Sequence, residues 1–176
     1  MTHQTRIIGW LIVAALILLP VLLGYRAGDP VEAKPQTEAS VAAHEQFSYA
    51  LQNAYMGLAL VESREMSDWA DSHYFTLKAL HAERGTPPGP EALQNWALPD
   101  GVLADLRHAR ARLVKALKNG GILTNPQAAA QAQAAFDCWI ERQEEDVDPA
   151  NIELCHSKFE QQLHLLEHPK IANLRR

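Results

Sequence analysis

The sequence predicts an all-α protein: one apolar helix near the amino terminus, then a bundle of about five helices that closes in a disulfide-linked helical hairpin. Three observations carry this reading. The 19 residues Ile7–Tyr25 contain no charge, which suits a single membrane-length helix. Beyond residue 40, apolar residues recur at three- and four-residue steps, and no alternating Val/Ile/Thr run is long enough to make a strand. The only two cysteines, Cys138 and Cys155, stand on either side of an acidic turn.

The apolar run sets where the rest of the chain is expected to lie. Its 19 residues at about 1.5 Å each reach about 28 Å, close to the ~30 Å hydrocarbon core of a bilayer. Trp10 and Tyr25 are placed to sit at the two membrane interfaces, and Pro20 lies where a kink is tolerable. The expected partner of residues 7–25 is therefore the lipid bilayer. The run exceeds the usual ~7–15 residues of a signal-peptide core. "GYRAGDP" after it offers no small-x-small cleavage site, and no cysteine stands nearby for lipid attachment. An uncleaved signal anchor with a cytosolic amino terminus is expected. A cleaved secretory signal, with Arg6 as its positive region and "VEA" at 31–33 as its best cleavage site, is the alternative. Both readings export the rest.

Charge bounds the partners. All 21 acidic residues lie beyond residue 26, against 14 of the 16 basic ones, so the exported part is acidic. Nucleic acid and anionic membrane surfaces are not expected partners.

The domains expected are a cytosolic stub and anchor (1–26), a proline-containing linker (27–40), a helical domain (41–168) and a tail (169–176). The first body helix is placed at 41–66, with Phe47, Leu51, Ala54, Leu58 and Val61 on its apolar side. The second starts at Ser67 or Asp68 and runs to Arg84, with Gly85 as its left-handed terminator. "GTPPGPEALQNWALPDG", residues 85–101, breaks regular structure and is expected to wrap on the body through Leu93, Trp96 and Leu98. A third helix follows Pro99–Asp100, with Leu103, Leu106, Ala109, Leu113 and Leu117 on one side, and is expected to stop at Asn119–Gly121. Asn125–Pro126 and Asp148–Pro149 each read as an N-cap followed by an N1 proline, giving helices at 126–145 and 149–167.

These boundaries put the cysteines level with each other. Cys138 is seven residues before Glu145 at the end of one helix, and Cys155 is seven after Asp148 at the start of the next. An antiparallel hairpin brings them within reach of a disulfide, which an oxidising compartment would form. Closing the loop would contribute about 3 kcal/mol by restricting the unfolded chain. A redox-active dithiol needs a thiol with a depressed pKa, whereas Asp137, Glu141 and Glu153 surround this pair with negative charge. A structural bridge is expected.

Other constellations are weaker. His164 and His168 stand at i, i+4 beside Glu160 and Glu167, a spacing that can hold a metal, but the helix ends at His168–Pro169, and both are read as solvated. Arg107, Arg110, Arg112, Lys115 and Lys118 read as a solvated face paired with carboxylates. Glu141, Glu144, Glu145, Asp146 and Asp148 lack the spacing and glycine of a calcium loop and also read as solvated. No Ser/His/Asp order, phosphate loop or HExxH motif occurs. No enzyme activity, cofactor or metal is expected.

Two blocks carry a family resemblance. One is "AQAAFDCW…QEE…I..C...F", on Ala132, Phe136, Asp137, Cys138, Trp139, Gln143, Glu144, Glu145, Ile152, Cys155 and Phe159; the other is "DW.DS.YF..KAL" from Asp68 to Leu80. With the helices around them, from about Phe47 to Glu167, they resemble the helical region preceding the peptidoglycan-binding domain in OmpA-family envelope proteins of alphaproteobacteria. The resemblance implies a single-pass protein of the bacterial inner membrane with a periplasmic body, acting as a structural or protein-interaction module with envelope proteins as partners. This chain lacks that family's peptidoglycan-binding motif, so glycan binding is not implied. The alternatives are an accessory single-span subunit of a membrane complex and a periplasmic ligand- or metal-binding sensor.

Overall fold

Thr37 begins the helical body. Its hydroxyl accepts from the Ser40 amide at 3.2 Å and caps α1, Glu38–Val61, so the helix starts earlier than residue 41. The computed structural model describes residues 37–145 and 148–169. The apolar run 7–25, with Trp10 and Tyr25, lies outside the described residues. Among the described residues no helix is long and apolar enough to cross a membrane, and there is no strand.

α1 passes into a π-helical turn, Glu62–Met66, and ends at Ser67, which takes the left-handed conformation at φ 59°. Asp68 then caps α2, Trp69–Glu83, accepting from the amides of Ala70 and Asp71 at 2.9 and 3.0 Å. Gly85 follows at φ 74°, a conformation open to glycine without penalty, and terminates α2 as expected. Residues 85–102 contain two 3₁₀ turns, Leu93–Asn95 and Asp100–Val102, and Leu93, Trp96 and Leu98 pack against the core.

α3, Leu103–Ala116, buries Leu106, Ala109 and Leu113. The chain does not stop at Asn119–Gly121. It runs through a π-helical turn, Leu117–Gly121, kinks at Gly120 (φ 94°), and makes one more helical turn, Ile122–Thr124. Asn125 caps α4, Pro126–Glu144, and Asp148 caps α5, Pro149–Glu167. Each side chain accepts from an amide just inside its helix, at 3.3 and 3.0 Å, and each helix opens with proline.

Two antiparallel pairs, α1 with α2 and α4 with α5, meet where α1 packs on α4, and α3 lies against α4 and α5. α4 is the axis. Nearly every residue from Ala128 to Arg142 is buried, and its many alanines let the neighbouring helices approach it from several sides. Around it close Leu51, Tyr55, Phe75, Leu106, Leu113, Phe159 and Leu163.

Cys138 and Cys155 are joined across the α4–α5 hairpin with their Cα atoms 5.8 Å apart, within the range a disulfide spans without moving either helix. Phe136 and Phe159 meet beside the bridge at 5.5 Å between ring centroids, and Trp139 and Phe159 at 5.8 Å. Because this packing holds the hairpin independently, reduction or Cys155→Ser should lower the unfolding free energy by about 3 kcal/mol while leaving the helical circular-dichroism spectrum intact. Thiol labelling of the denatured protein should find no free thiol before reductant is added; two labelled thiols would contradict the bridge.

Candidate functional site

Of the acidic residues read as solvated, Glu141 of α4 is buried, and so are other polar side chains of that helix. Gln133, Asp137 and Glu141 recur at four-residue steps, and with Arg142 they are among the few buried polar residues of the body. Burial is costly for such groups unless each finds a partner, so their partners define the chemistry of the interior.

Asp137, fully buried, accepts from Tyr55 Oη at 2.6 Å, Lys78 Nζ at 2.7 Å and the Glu91 amide at 2.9 Å. Lys78 Nζ also bonds Glu91, whose carboxylate accepts from Tyr74 Oη at 2.6 Å and Trp96 Nε1 at 3.0 Å. Gln133 Nε2 donates to Tyr55 Oη at 3.0 Å and to the Pro88 carbonyl at 2.7 Å. From the other side, Arg110 donates to the backbone carbonyls of Glu91 (2.5 Å) and Pro90 (3.2 Å). Arg110 therefore clamps the 85–101 segment instead of joining a solvated face.

Burial pushes the Asp137 carboxyl up even with Lys78 beside it. Burial would raise Glu91 too, but the Lys78 ammonium holds its carboxyl below the ordinary value. Tyr55 is pushed well up, by burial first and by Asp137 second, so its hydroxyl keeps its proton and acts as a donor. The arrangement partners every buried side-chain polar atom in it and fastens the segment to three helices.

A second network lies at the carboxyl end of α4. Arg142 bonds Glu62 of the π turn through both Nη atoms. Its Nη1 also reaches Glu141 Oε1 at 3.0 Å and Glu145 Oε2 at 3.1 Å. Burial raises the Glu141 carboxyl to about 10, and the nearby Glu145 carboxylate acts in the same direction. Burial also raises Glu62, against the pull of Arg142. Glu144, also expected to be solvated, accepts from the Ala97 amide at 2.7 Å.

The bridge itself faces a groove of about 720 Å³ between α1, α4 and α5. Cys138 and Cys155 lie on its lining with Ala54 and Gly57 of α1 and Ala134 and Ala135 of α4, while Leu154 and Lys158 come from α5. Short side chains at Ala54, Gly57, Ala134 and Ala135 open its middle, Leu58, Val61 and Met66 add apolar surface, and Leu154 is 68% exposed. The functional groups foreseen from the sequence thus meet here only through the cystine.

The histidine pair is elsewhere. His164 and His168 are exposed with rings 4.2 Å apart, but the carboxylates expected beside them are engaged by Arg112. Arg112 bonds Glu160 at 2.7 Å and Glu167 at 2.9 Å, tying α3 to α5 as the expected charge pairing of the basic stretch.

Comparison with family models, with curated proteins and with solved structures finds no match.

Two outcomes test the interior. Lys78→Met leaves Asp137 and Glu91 buried without their cation and should destabilise the protein by about 3–5 kcal/mol in denaturant unfolding. Glu141 has a folded-state pKa raised above its unfolded value of 4.5, so its stabilising effect is complete below about pH 4.5 and is lost as pH rises towards about 10. Glu141→Gln, an isostere of the protonated acid, should flatten the decline of melting temperature across that window. An unchanged slope would contradict the assignment.

Proposed function

We propose that this protein is a membrane-anchored, extracytoplasmic interaction module whose α1/α4/α5 groove receives an apolar-faced helix of an envelope protein. The observation that carries the reading is Gly57. It stands in the interior of α1, where glycine costs about 1 kcal/mol relative to alanine. A Cβ at Gly57 would meet nothing within 4 Å, so the fold itself does not require the missing side chain. What glycine leaves is room on the groove wall, opposite Ala134 and Ala135.

The shape suits a helix. From Asn53 to Met66 the α1 side of the groove extends about 20 Å at ~1.5 Å per residue, enough for some three to four turns of a partner. Small residues on the wall allow close backbone approach, and Leu154 supplies an apolar edge that such a partner would cover. The extracytoplasmic location is supported by the charge-free run Ile7–Tyr25 and by a cystine, which persists in oxidising compartments. A bacterial inner-membrane setting and envelope partners rest on the OmpA-family resemblance of the two sequence blocks. Peptidoglycan binding is no part of the proposal.

The test is site-specific photo-crosslinking from Leu154 in intact membranes, in wild type and in Gly57→Leu. The wild-type crosslink should map to a helix of one partner and should be lost in Gly57→Leu. Gly57→Ala should raise stability by roughly 0.5–1 kcal/mol in thermal melts, since it removes the helix penalty without a clash. A crosslink that survives Gly57→Leu would overturn the groove as the contact surface.

A further inference from the structure

The large hydrophobic side chains that remain exposed gather on one side of the body. Of the nine among the described residues, seven belong to α1 and α2, so they are concentrated on a single hairpin. On α1, Tyr49, Met56 and Leu60 follow one another at steps of seven and four residues and share a face. On α2, Trp69 and Leu80 stand in line three turns apart, with Leu77 one turn before Leu80. The two helices are antiparallel neighbours, and Tyr49 borders the same depression as Ala82 and Glu83 of α2, so the α1 stripe follows the seam with α2. The groove uses another side of α1, through Ala54, Leu58 and Val61.

Single exposed apolar residues are ordinary, but an aligned set on two paired helices marks a contact surface. Its chemistry points to lipid. Tyr49 and Trp69 are 68% and 72% exposed. Among the described residues neither ring's polar atom has a protein partner, whereas Tyr55, Tyr74 and Trp96 turn theirs inward. Rings with an apolar body and a free polar tip suit a lipid–water interface. The face carries no excess of cations: Arg64 and Arg84 stand one turn beyond Leu60 and Leu80, against Glu38, Glu45 and Glu83 at the Tyr49 end. That balance favours zwitterionic over anionic lipid. Chain length supplies the proximity. Residues 26–36 lie between the charge-free run and Thr37, and at ~3.5 Å each they reach at most about 40 Å, close to the length of α1 itself.

We propose that the outer face of the α1–α2 hairpin, with Tyr49, Met56, Leu60, Trp69 and Leu80 as its contact residues, rests on the zwitterionic lipid surface beside the anchor. The inference rests on the reading of residues 7–25 as a membrane helix. The two rings sit among the headgroups with the aliphatic side chains just beneath, and Arg64 and Arg84 extend towards phosphate. Because the tether keeps the face close to the bilayer, a contact too weak to recruit a free protein is enough to hold this one. Seating the hairpin in this way fixes the orientation of the body. It leaves the α1/α4/α5 groove, on a different side of α1, open to a partner.

The experiment is tryptophan quenching in the full-length protein, reconstituted in phosphatidylcholine vesicles whose acyl chains carry bromine. In a Trp10→Phe protein the quenching reports the face through Trp69, and in a Trp69→Phe protein it reports the anchor through Trp10. Both should be quenched. The protein carrying both substitutions should not be, since Trp96 and Trp139 pack with the core. Adding Leu60→Glu and Leu80→Glu to Trp10→Phe should reduce the quenching at least about twofold, because each carboxylate resists entering the interface. These two side chains are 44% and 37% exposed, so the helical circular-dichroism spectrum should be kept; if the pair unfolds, the quenching of Trp69 alone decides. Quenching of Trp10 without Trp69 would overturn the face and leave the anchor standing. The same result with Trp69 emission moving to the blue as protein per vesicle rises would give the face to a second copy of the chain. Quenching of neither tryptophan would overturn the anchor and this inference with it.

Discussion

The burial of Asp137 constrains the rest of the body. A fully desolvated carboxylate is tolerable only with donors on it, and this one draws them from three directions: Tyr55 on α1, Lys78 on α2 and the Glu91 amide of the 85–101 segment. Each donor fixes the register of its own element against α4. The apolar contacts of Phe75, Phe136 and Phe159 add most of the burial, but they would accept small slips that the carboxylate does not. The alanines of α4 permit this arrangement by letting the neighbouring helices come close enough for short side chains to meet.

The two ends of the interior differ in whether every buried oxygen finds a donor. Around Asp137 and Glu91, one lysine and several neutral donors satisfy two acids, and the network is closed. Around Arg142 the acids outnumber the cation and one buried oxygen is left over. The groove is a third kind of place, where short side chains and the cystine line open space. Stability, charge excess and accessible apolar surface thus occupy different parts of a small bundle, and α4 contributes to all of them.

Helix ends were legible in the sequence because local chemistry decides them. Asp68, Asn125–Pro126, Asp148–Pro149 and Gly85 act where their residue types suggest, and the register of Cys138 against Cys155 followed from the helix end at Glu145 and the cap at Asp148. The stop expected at Asn119–Gly121 became a kink, since Ile122–Thr124 carry the chain one turn further before Asn125 caps α4. The interior networks were not legible. Glu141 read as part of a solvated acidic turn, and Gln133 and Asp137 carried no sign of burial, because the pattern within one helix says nothing of a lysine or arginine arriving from another. The same holds for Arg110, whose targets are backbone carbonyls of a segment that looks like an ordinary loop. Gly57 was passed over because the significance of a missing side chain depends on what stands opposite.

The amide of Glu91 belongs to a connecting segment, yet its hydrogen bond ends on a fully buried carboxylate. A segment held in this way cannot peel off gradually. Lifting residue 91 would strip Asp137 of one donor, Lys78 of one counter-ion and Trp96 of its acceptor in a single event. The proline-rich stretch then opens as one cooperative unit with the core, and slow amide exchange, unusual for a connection without a regular helix, would mark it as part of the core.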